Sequence, residues 1–281
     1  MLNDKMLKTN PKPRFLSLPD SARLPINHCN LPADILGSLT FQQYPTDLLL
    51  DGVNALHHGL FSELDKCSDV PQRGQIFMNY MQACFQLATP EEAGAGPDSR
   101  YKANYLRLLR GWMFDADEQE AAVLKAWIES RFGLLTRYHK ARITSFDCEP
   151  YYRYIAERSQ GLYNTNALEM QLDLLYSYCQ YELAQRISSK HLSLYRGINH
   201  FNELEILQQD GKTEIITLLN NLNSFTNQYE RASEFGDIVL KAQIPYSKIV
   251  WFPELLSGRL QGEQEYIVIG GLYRMSIESG F

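Results

Sequence analysis

Two glutamates, Glu263 and Glu265, stand two positions apart in the stretch GEQEYIV at 262–268. The β-branched and aromatic residues after them predict a strand, in which side chains two positions apart lie on one face, roughly 7 Å from each other. Two such carboxylates suit a sugar transfer, because one can stabilise positive charge developing on the sugar while the other handles the nucleophile. For this pair taken alone, the alternative is a solvated strand entrance.

An arginine, Arg196, ends another predicted strand in the stretch LYRG and is followed by Gly197. A guanidinium fixed at such a place can bind a phosphate or a carboxylate through two parallel hydrogen bonds. The alternative is a surface ion pair.

Two hydroxyl side chains, Ser224 and Thr226, flank Phe225 in the stretch NSFT, just before a predicted short helix. Hydroxyls at this place can cap the helix or orient a ligand. Phe225 can offer a stacking face or belong to the core. In isolation, the three residues are compatible with capping and packing alone.

In this order and on these elements, the three groups resemble the R–S–E signature of mono-ADP-ribosyltransferases. Arg196 stands for the arginine, Ser224 for the serine, and Glu263 with Glu265 for the Glu-x-Glu pair, whose first glutamate is carried by arginine-directed members. The segment QYERASEFG at 228–236 is similar to the segment that follows the hydroxyls in this family.

The resemblance implies NAD+ as co-substrate, no metal, and a specific role for each matching residue. Arg196 would hold the pyrophosphate side of NAD+, and Ser224 would position the nicotinamide ribose and support Glu265. Glu265 would bind the ribose 2′-hydroxyl and offset the oxocarbenium charge, while Glu263 would orient the acceptor arginine and accept its proton. The neighbouring residues expected in the NAD+ site are Gly197, Phe225 and Thr226.

Four further segments are similar to the family of NAD+–dinitrogen-reductase ADP-ribosyltransferases, and this resemblance runs over nearly the whole chain from about residue 30. They are LGSLTFQQYPTD (36–47), NYLRLLRGWMFD (104–115), ESRFGLL (129–135) and CQYEL (179–183). The resemblance implies transfer of ADP-ribose to one arginine of the nitrogenase iron protein, with release of nicotinamide. It also implies control by a PII-type signalling protein.

Two alternatives to transfer onto the nitrogenase iron protein are open. The same chemistry could act on an arginine of another protein, or the chain could be a non-catalytic module that binds NAD or docks to a protein. The complete set of Arg196, Ser224, Glu263 and Glu265 argues against the second alternative.

The composition is that of a folded globular chain. It has 281 residues, 44% of them apolar and 21% charged, with a net charge of -6, so sequence-indifferent nucleic-acid binding is not expected. Five widely spaced cysteines without a C-x-x-C pair predict reduced, mostly buried thiols. The start lacks the apolar core of a secretory signal, and no stretch has about 18 apolar residues, so we expect a cytoplasmic protein.

The elements that must position these residues fall into three segments. Six prolines between 11 and 45 predict an extended arm over 1–46. A helical periodicity follows over 47–188, and we expect this region to dock the protein partner. Alternating β-branched and aromatic residues over 189–281 predict a β-rich NAD-binding catalytic core, integrated with the preceding helices. The fold class is therefore α+β, with a helical N-terminal region followed by an ADP-ribosyltransferase-like core.

Within this framework the apolar spacing predicts five helices and five strands. The helical faces are Leu49–Val53–Leu56–Leu60–Leu64, Phe77–Tyr80–Met81–Cys84–Ala88, Tyr105–Leu108–Leu109–Trp112, Leu124–Trp127–Ile128–Phe132 and Leu168–Leu172–Leu175–Cys179–Leu183. The strands are expected at 192–196, 238–244, 248–252, 265–269 and 272–276, and a short helix at 227–235. Tyr105, Trp112 and Trp127 are expected in the core.

Two polar groups in the helical region are open to more than one interpretation. His57 and His58 are expected to be core or surface histidines, because no carboxylate or cysteine stands at zinc-binding spacing nearby. Arg100, Arg107 and Arg110 share roughly one helical face. That face is either solvated or a docking face for an acidic partner.

Overall fold

A computed structural model of the chain describes residues 16–87, 104–161, 167–211, 213–256, 258–260 and 264–278. Its helices are α1 (Ala33–Leu36), α2 (Leu39–Gln43), α3 (Val53–Leu56), α4 (His58–Leu64), α5 (Val70–Phe85), α6 (Tyr105–Phe114), α7 (Gln119–Phe132), α8 (Glu149–Gly161), α9 (Leu168–Arg186) and α10 (Tyr229–Ser233). Its strands are β1 (Tyr138–His139), β2 (Ala141–Arg142), β3 (His191–Ile198), β4 (Glu205–Asp210), β5 (Glu214–Thr226), β6 (Ile238–Pro245), β7 (Ile249–Trp251) and β8 (Glu265–Glu278). Helices α1 to α9 precede the six-stranded sheet, so the α+β prediction is confirmed.

The helical half is organised around α7, which is buried on nearly all sides from Ala121 to Glu129. It packs against α6, α8 and β5, so it joins the helices to the sheet. Asn221 of β5 ties the two halves together, because its amide nitrogen donates to the carbonyls of Lys125 and Leu134.

The main sheet has the strand order β4-β5-β3-β6-β8-β7 and its pairings are antiparallel. An additional long ladder joins β5 to β8, so β5, β3, β6 and β8 form a ring of paired strands. The ladder is interrupted at Asn220 and Asn221, opposite Gly270. A Cβ at Gly270 would lie 1.7 Å from the carbonyl oxygen of Asn220, so the two strands can approach here only with glycine.

The predicted helix at Leu168–Leu183 is α9, and the strands expected at 192–196, 238–244 and 248–252 are β3, β6 and β7. The strands expected at 265–269 and 272–276 are one continuous strand, β8. The sequence patterns predict neither β4 nor β5. For β5 the reason is that three asparagines in its second half give it the composition of a loop. Helix α8 was also missed.

Two helical faces differ from their prediction. The single helix expected from Leu49 to Leu64 is two short helices, α3 and α4, that meet at His57, and both Leu49 and Leu56 are exposed. On α5 the buried apolar side chains include Phe77, Met81 and Phe85, whereas Cys84 lies on the exposed side. Ala88 lies outside the described residues.

The cysteines are free, as expected, but only Cys179 is buried. Three are partly exposed and Cys84 is exposed, so the prediction of mostly buried thiols was wrong. The spacing of the cysteines argues against a disulfide framework, but it carries no information on their burial.

The segment expected as an extended arm has its first fifteen residues outside the described residues. Its described part contains α1, α2 and a 3₁₀ turn at Asp20–Ala22. Pro19 and Pro32 stand just before two of these helical turns, where a fixed φ near −60° suits the entry and no backbone donor is needed. Leu36 and Phe41 are buried, so this segment contributes to the core.

Candidate active site

The β5–β8 ladder brings the predicted hydroxyls and one predicted carboxylate together. Thr226 pairs directly with Glu265, and Ser224 stands two residues before Thr226 on the same strand. Directly opposed residues point to the same side of an antiparallel pair, and so do residues two positions apart. Ser224, Thr226 and Glu265 therefore share one face, while Phe225 pairs with Tyr266 on the other.

Arg196 reaches this face from β3, which meets β5 at the register pair Tyr195–Thr226. Its Nη1 donates to the backbone carbonyl of Ser224 at 3.1 Å. Its Nε is buried and has no hydrogen-bond partner among the described residues. Burial lowers the pKa of Arg196, and the nearby carboxylates of Glu203 and Glu265 oppose that shift.

These residues line one cavity of about 720 Å³, a volume within the usual range of ligand-binding pockets. The predicted residues on its wall are Arg196, Gly197, Ser224, Phe225, Thr226 and Glu265. Glu263, the other predicted catalytic residue, lies outside the described residues.

Gly197 has a structural reason to be glycine in addition to its place on the wall. A Cβ at this position would lie 2.0 Å from the carbonyl oxygen of Ala232 in α10. Gly236 makes the reciprocal approach, since a Cβ there would lie 2.2 Å from the carbonyl carbon of Ile198. The two glycines let α10 lie directly on β3 beside the cavity.

Trp112, at the end of α6, is a site residue that the sequence analysis placed only in the core. The residue is 2% exposed, and its indole Nε1 donates to Glu265 Oε1 at 2.8 Å and to Ser224 Oγ at 3.1 Å. One feature of the sequence could have pointed to this role, because the N–H of a tryptophan expected in the core needs a hydrogen-bond acceptor. Nothing in the sequence identified which acceptor it would find.

A second buried group, Lys125 of α7, lies next to Trp112 and lines the same cavity. Its Nζ is 5.8 Å from the indole centroid and donates to Asp117 at 2.9 Å and to the carbonyl of Tyr138 at 3.1 Å. Burial lowers the pKa of Lys125 and Asp117 opposes the shift. His139 continues the network, lying 3.3 Å from this Nζ and 2.7 Å from Glu157.

The cavity has an aromatic and acidic rim. Phe114 is 91% exposed, Phe235 62% and Tyr138 45%, and the three side chains line the same cavity. The carboxylates of Asp115 and Glu203 also line it. Aromatic faces and carboxylates are the groups that bind a guanidinium.

The other candidate groups lie away from the cavity wall. His57 is buried with its Nδ1 3.0 Å from the hydroxyl of Tyr80, and burial lowers its pKa; His58 is exposed. Arg107 pairs with Glu120 at 3.1 Å, and Arg110 is exposed. Arg100 lies outside the described residues.

The described residues contain no group of three or more His, Cys, Asp or Glu side chains arranged to hold a metal ion. Among the helices described, none combines the length and the apolar run that crossing a membrane requires.

Comparison with known proteins extends over nearly the whole chain. Residues 26–277 match the family model described as dinitrogenase reductase ADP-ribosyltransferase. Over 255 residues the chain is 39% identical to the NAD(+)--dinitrogen-reductase ADP-D-ribosyltransferase of Rhodospirillum rubrum. The aligned region covers 88% of this chain and 92% of the relative. No solved structure matches the chain.

Proposed function

The chain belongs to the dinitrogenase reductase ADP-ribosyltransferase family, and from that premise we propose that it transfers ADP-ribose from NAD+ to an arginine of dinitrogenase reductase. The transfer releases nicotinamide and inactivates the acceptor reversibly. The structural observation that supports this function best is the convergence of Arg196, Ser224 and Glu265 on one cavity.

The residues of the cavity fit NAD+. Arg196 has a buried Nε that no described residue satisfies, and a guanidinium with a donor left over suits a pyrophosphate oxygen. Ser224 and Thr226 supply hydroxyls for the nicotinamide ribose, and the cavity wall also includes Gly197 and Phe225. We assign these five residues to the NAD+ site.

Glu265 is proposed as the catalytic carboxylate. Breaking the bond between ribose and nicotinamide leaves positive charge on the sugar, and a carboxylate held beside it offsets that charge. An opposite charge at about 4 Å in partly shielded surroundings contributes on the order of 4 kcal/mol, or roughly a thousandfold in rate.

Glu263 is proposed to prepare the acceptor. A free arginine guanidinium is protonated, so it is a poor nucleophile until a carboxylate orients it and accepts a proton. The place of Glu263, two residues before Glu265, and the family pattern support this role.

We propose that the helical region over 47–188 docks the protein substrate and that 189–281 holds NAD+. The exposed Phe114 and the acidic Asp115, both from the C-terminal end of α6 in the helical region, support this division, because they stand at the rim of the cavity. We also propose control by a PII-type signalling protein, which the family resemblance implies, and action in the cytoplasm, which the sequence patterns led us to expect. Gel filtration of this protein mixed with a PII-type protein tests that interaction, and we expect the two to co-elute.

Incubation with labelled NAD+ and reduced, nucleotide-bound dinitrogenase reductase tests the main proposal. We expect label on one arginine of that protein, together with stoichiometric release of nicotinamide. Label only on other proteins would indicate a different target. No label and no nicotinamide release would indicate a non-catalytic module.

A further inference from the structure

We propose that Trp112 is a positioning residue that holds Glu265 and Ser224 in their reactive arrangement. The inference rests on the proposed function, and it assigns a role to a residue of the helical half. The two hydrogen bonds of its indole N–H connect that half to the catalytic carboxylate.

The geometry is that of one donor shared between two acceptors. An indole has a single N–H and no acceptor atom, so Trp112 cannot exchange this role for another. Its Nε1 lies 2.8 Å from Glu265 Oε1 and 3.1 Å from Ser224 Oγ, and both distances are within hydrogen-bond range. Both acceptors are residues of the R–S–E pattern, whereas a backbone carbonyl would satisfy a tryptophan with only a packing role.

The indole is itself fixed in place. It is 2% exposed, and the ammonium of Lys125 lies 5.8 Å from its ring centroid. Asp117 and the carbonyl of Tyr138 bind that ammonium, so the cation that contacts the ring is also anchored. A donor held this way keeps its direction when the ligand enters.

Two chemical consequences follow from this arrangement. The bond to Oε1 restricts the carboxylate of Glu265 to one orientation before the substrate binds, which lowers the reorganisation needed in the transition state. The bond to Ser224 occupies a lone pair of its Oγ, which leaves the Ser224 O–H as a donor. Trp112 therefore acts on the rate of bond cleavage more than on the affinity for NAD+.

Trp112→Phe tests the inference, because it keeps an aromatic ring over Lys125 and removes the N–H. We expect kcat for nicotinamide release to fall about tenfold to a hundredfold, the scale of one hydrogen bond to a charged group, with KM for NAD+ nearly unchanged. The matched control is Trp127→Phe. Trp127 is 1% exposed and its Nε1 donates to Asp173 at 2.7 Å, away from the cavity.

A double-mutant cycle with Glu265→Asp separates positioning from general damage. Aspartate is one methylene shorter and withdraws the carboxylate from the indole. Adding Trp112→Phe to Glu265→Asp should therefore lower kcat for nicotinamide release little further. Equal losses of kcat in both backgrounds would overturn the inference. So would a Trp112→Phe enzyme no slower than Trp127→Phe.

Two further measurements keep the outcomes distinguishable. If Trp112→Phe does not fold, 3-benzothienylalanine at position 112 keeps the ring shape without the N–H and should show the same selective loss of kcat. A wild-type protein that releases no nicotinamide would overturn the proposed function and this inference together. An active wild type beside an unimpaired position-112 variant would overturn the inference alone.

Discussion

Thr226 and Glu265 face each other directly across the β5–β8 ladder. This pairing places the hydroxyl motif and the proposed catalytic carboxylate on one face of two adjacent strands. Because the strands are antiparallel and hydrogen-bonded, the separation between Ser224 and Glu265 is set by backbone geometry.

Glu265→Gln should abolish transfer and most nicotinamide release while the fold is kept, since the change preserves size and removes the charge that offsets the oxocarbenium. The control is Glu278→Gln at the other end of β8. Nicotinamide release and the melting temperature are measured for both variants. Near-normal turnover of Glu265→Gln would contradict its assignment.

Arg196→Lys should weaken NAD+ binding although the charge is kept. A lysine cannot reproduce the planar fork that binds the Ser224 carbonyl with one nitrogen and leaves others for a phosphate. Calorimetry with NAD+ is the measurement, and Arg274→Lys, which changes a half-exposed arginine paired with Glu214, is the control. Equal affinity of Arg196→Lys and wild type would mean a purely structural arginine.

Glu263→Ala should keep slow release of nicotinamide to water and lose transfer to arginine. Water needs no carboxylate to orient it, whereas a protonated guanidinium does. Loss of the acceptor step by a thousandfold corresponds to about 4 kcal/mol. Both activities are measured on one preparation, and their parallel loss would refute the division of labour between the two glutamates.

Phe114→Ala should raise KM for the protein acceptor about threefold to thirtyfold, the scale of one contact between an aromatic ring and a cation. Nicotinamide release to water should stay the same, because the ring stands at the exposed rim. Phe146→Ala is the control, since Phe146 is 60% exposed and packs on Tyr151 instead. Equal acceptor KM values for the two variants would exclude Phe114 from docking.

Lys248→Met should stabilise the fold at neutral pH. Lys248 is fully buried, with its ammonium donating to the carbonyl of Gly270 at 2.7 Å, and burial lowers its pKa to about 7. The unfolded chain therefore binds more protons than the folded chain between about pH 7 and the ordinary lysine range. Wild-type stability should rise with pH through that window, by at most about 1.4 kcal/mol per pH unit.

The advantage of Lys248→Met over wild type should accordingly be largest near and below pH 7 and shrink as the pH rises. Denaturant unfolding of both proteins from pH 6 to pH 10 measures it. Lys66→Met, at an exposed position, is the control. A difference between Lys248→Met and wild type that does not change with pH would contradict the argument.

The sequence by itself was sufficient for much of the architecture. The α+β class, the long helix α9 and the strands β3, β6 and β7 follow from periodicity, which reports local burial. The motif residues Arg196, Ser224 and Glu265 were also identified from the sequence, by residue type, order and family resemblance. The roles assigned to them are still predictions.

The tertiary structure decided what local patterns cannot encode. Strand β5 has the composition of a loop around Asn220, Asn221 and Asn223, and it is a strand because β8 and β4 pair with it. Trp112 has the ordinary pattern of a core residue, and its partner Glu265 lies 153 residues away along the chain. Periodicity shows that a side chain is buried, but the acceptor its N–H finds depends on how separate elements pack together.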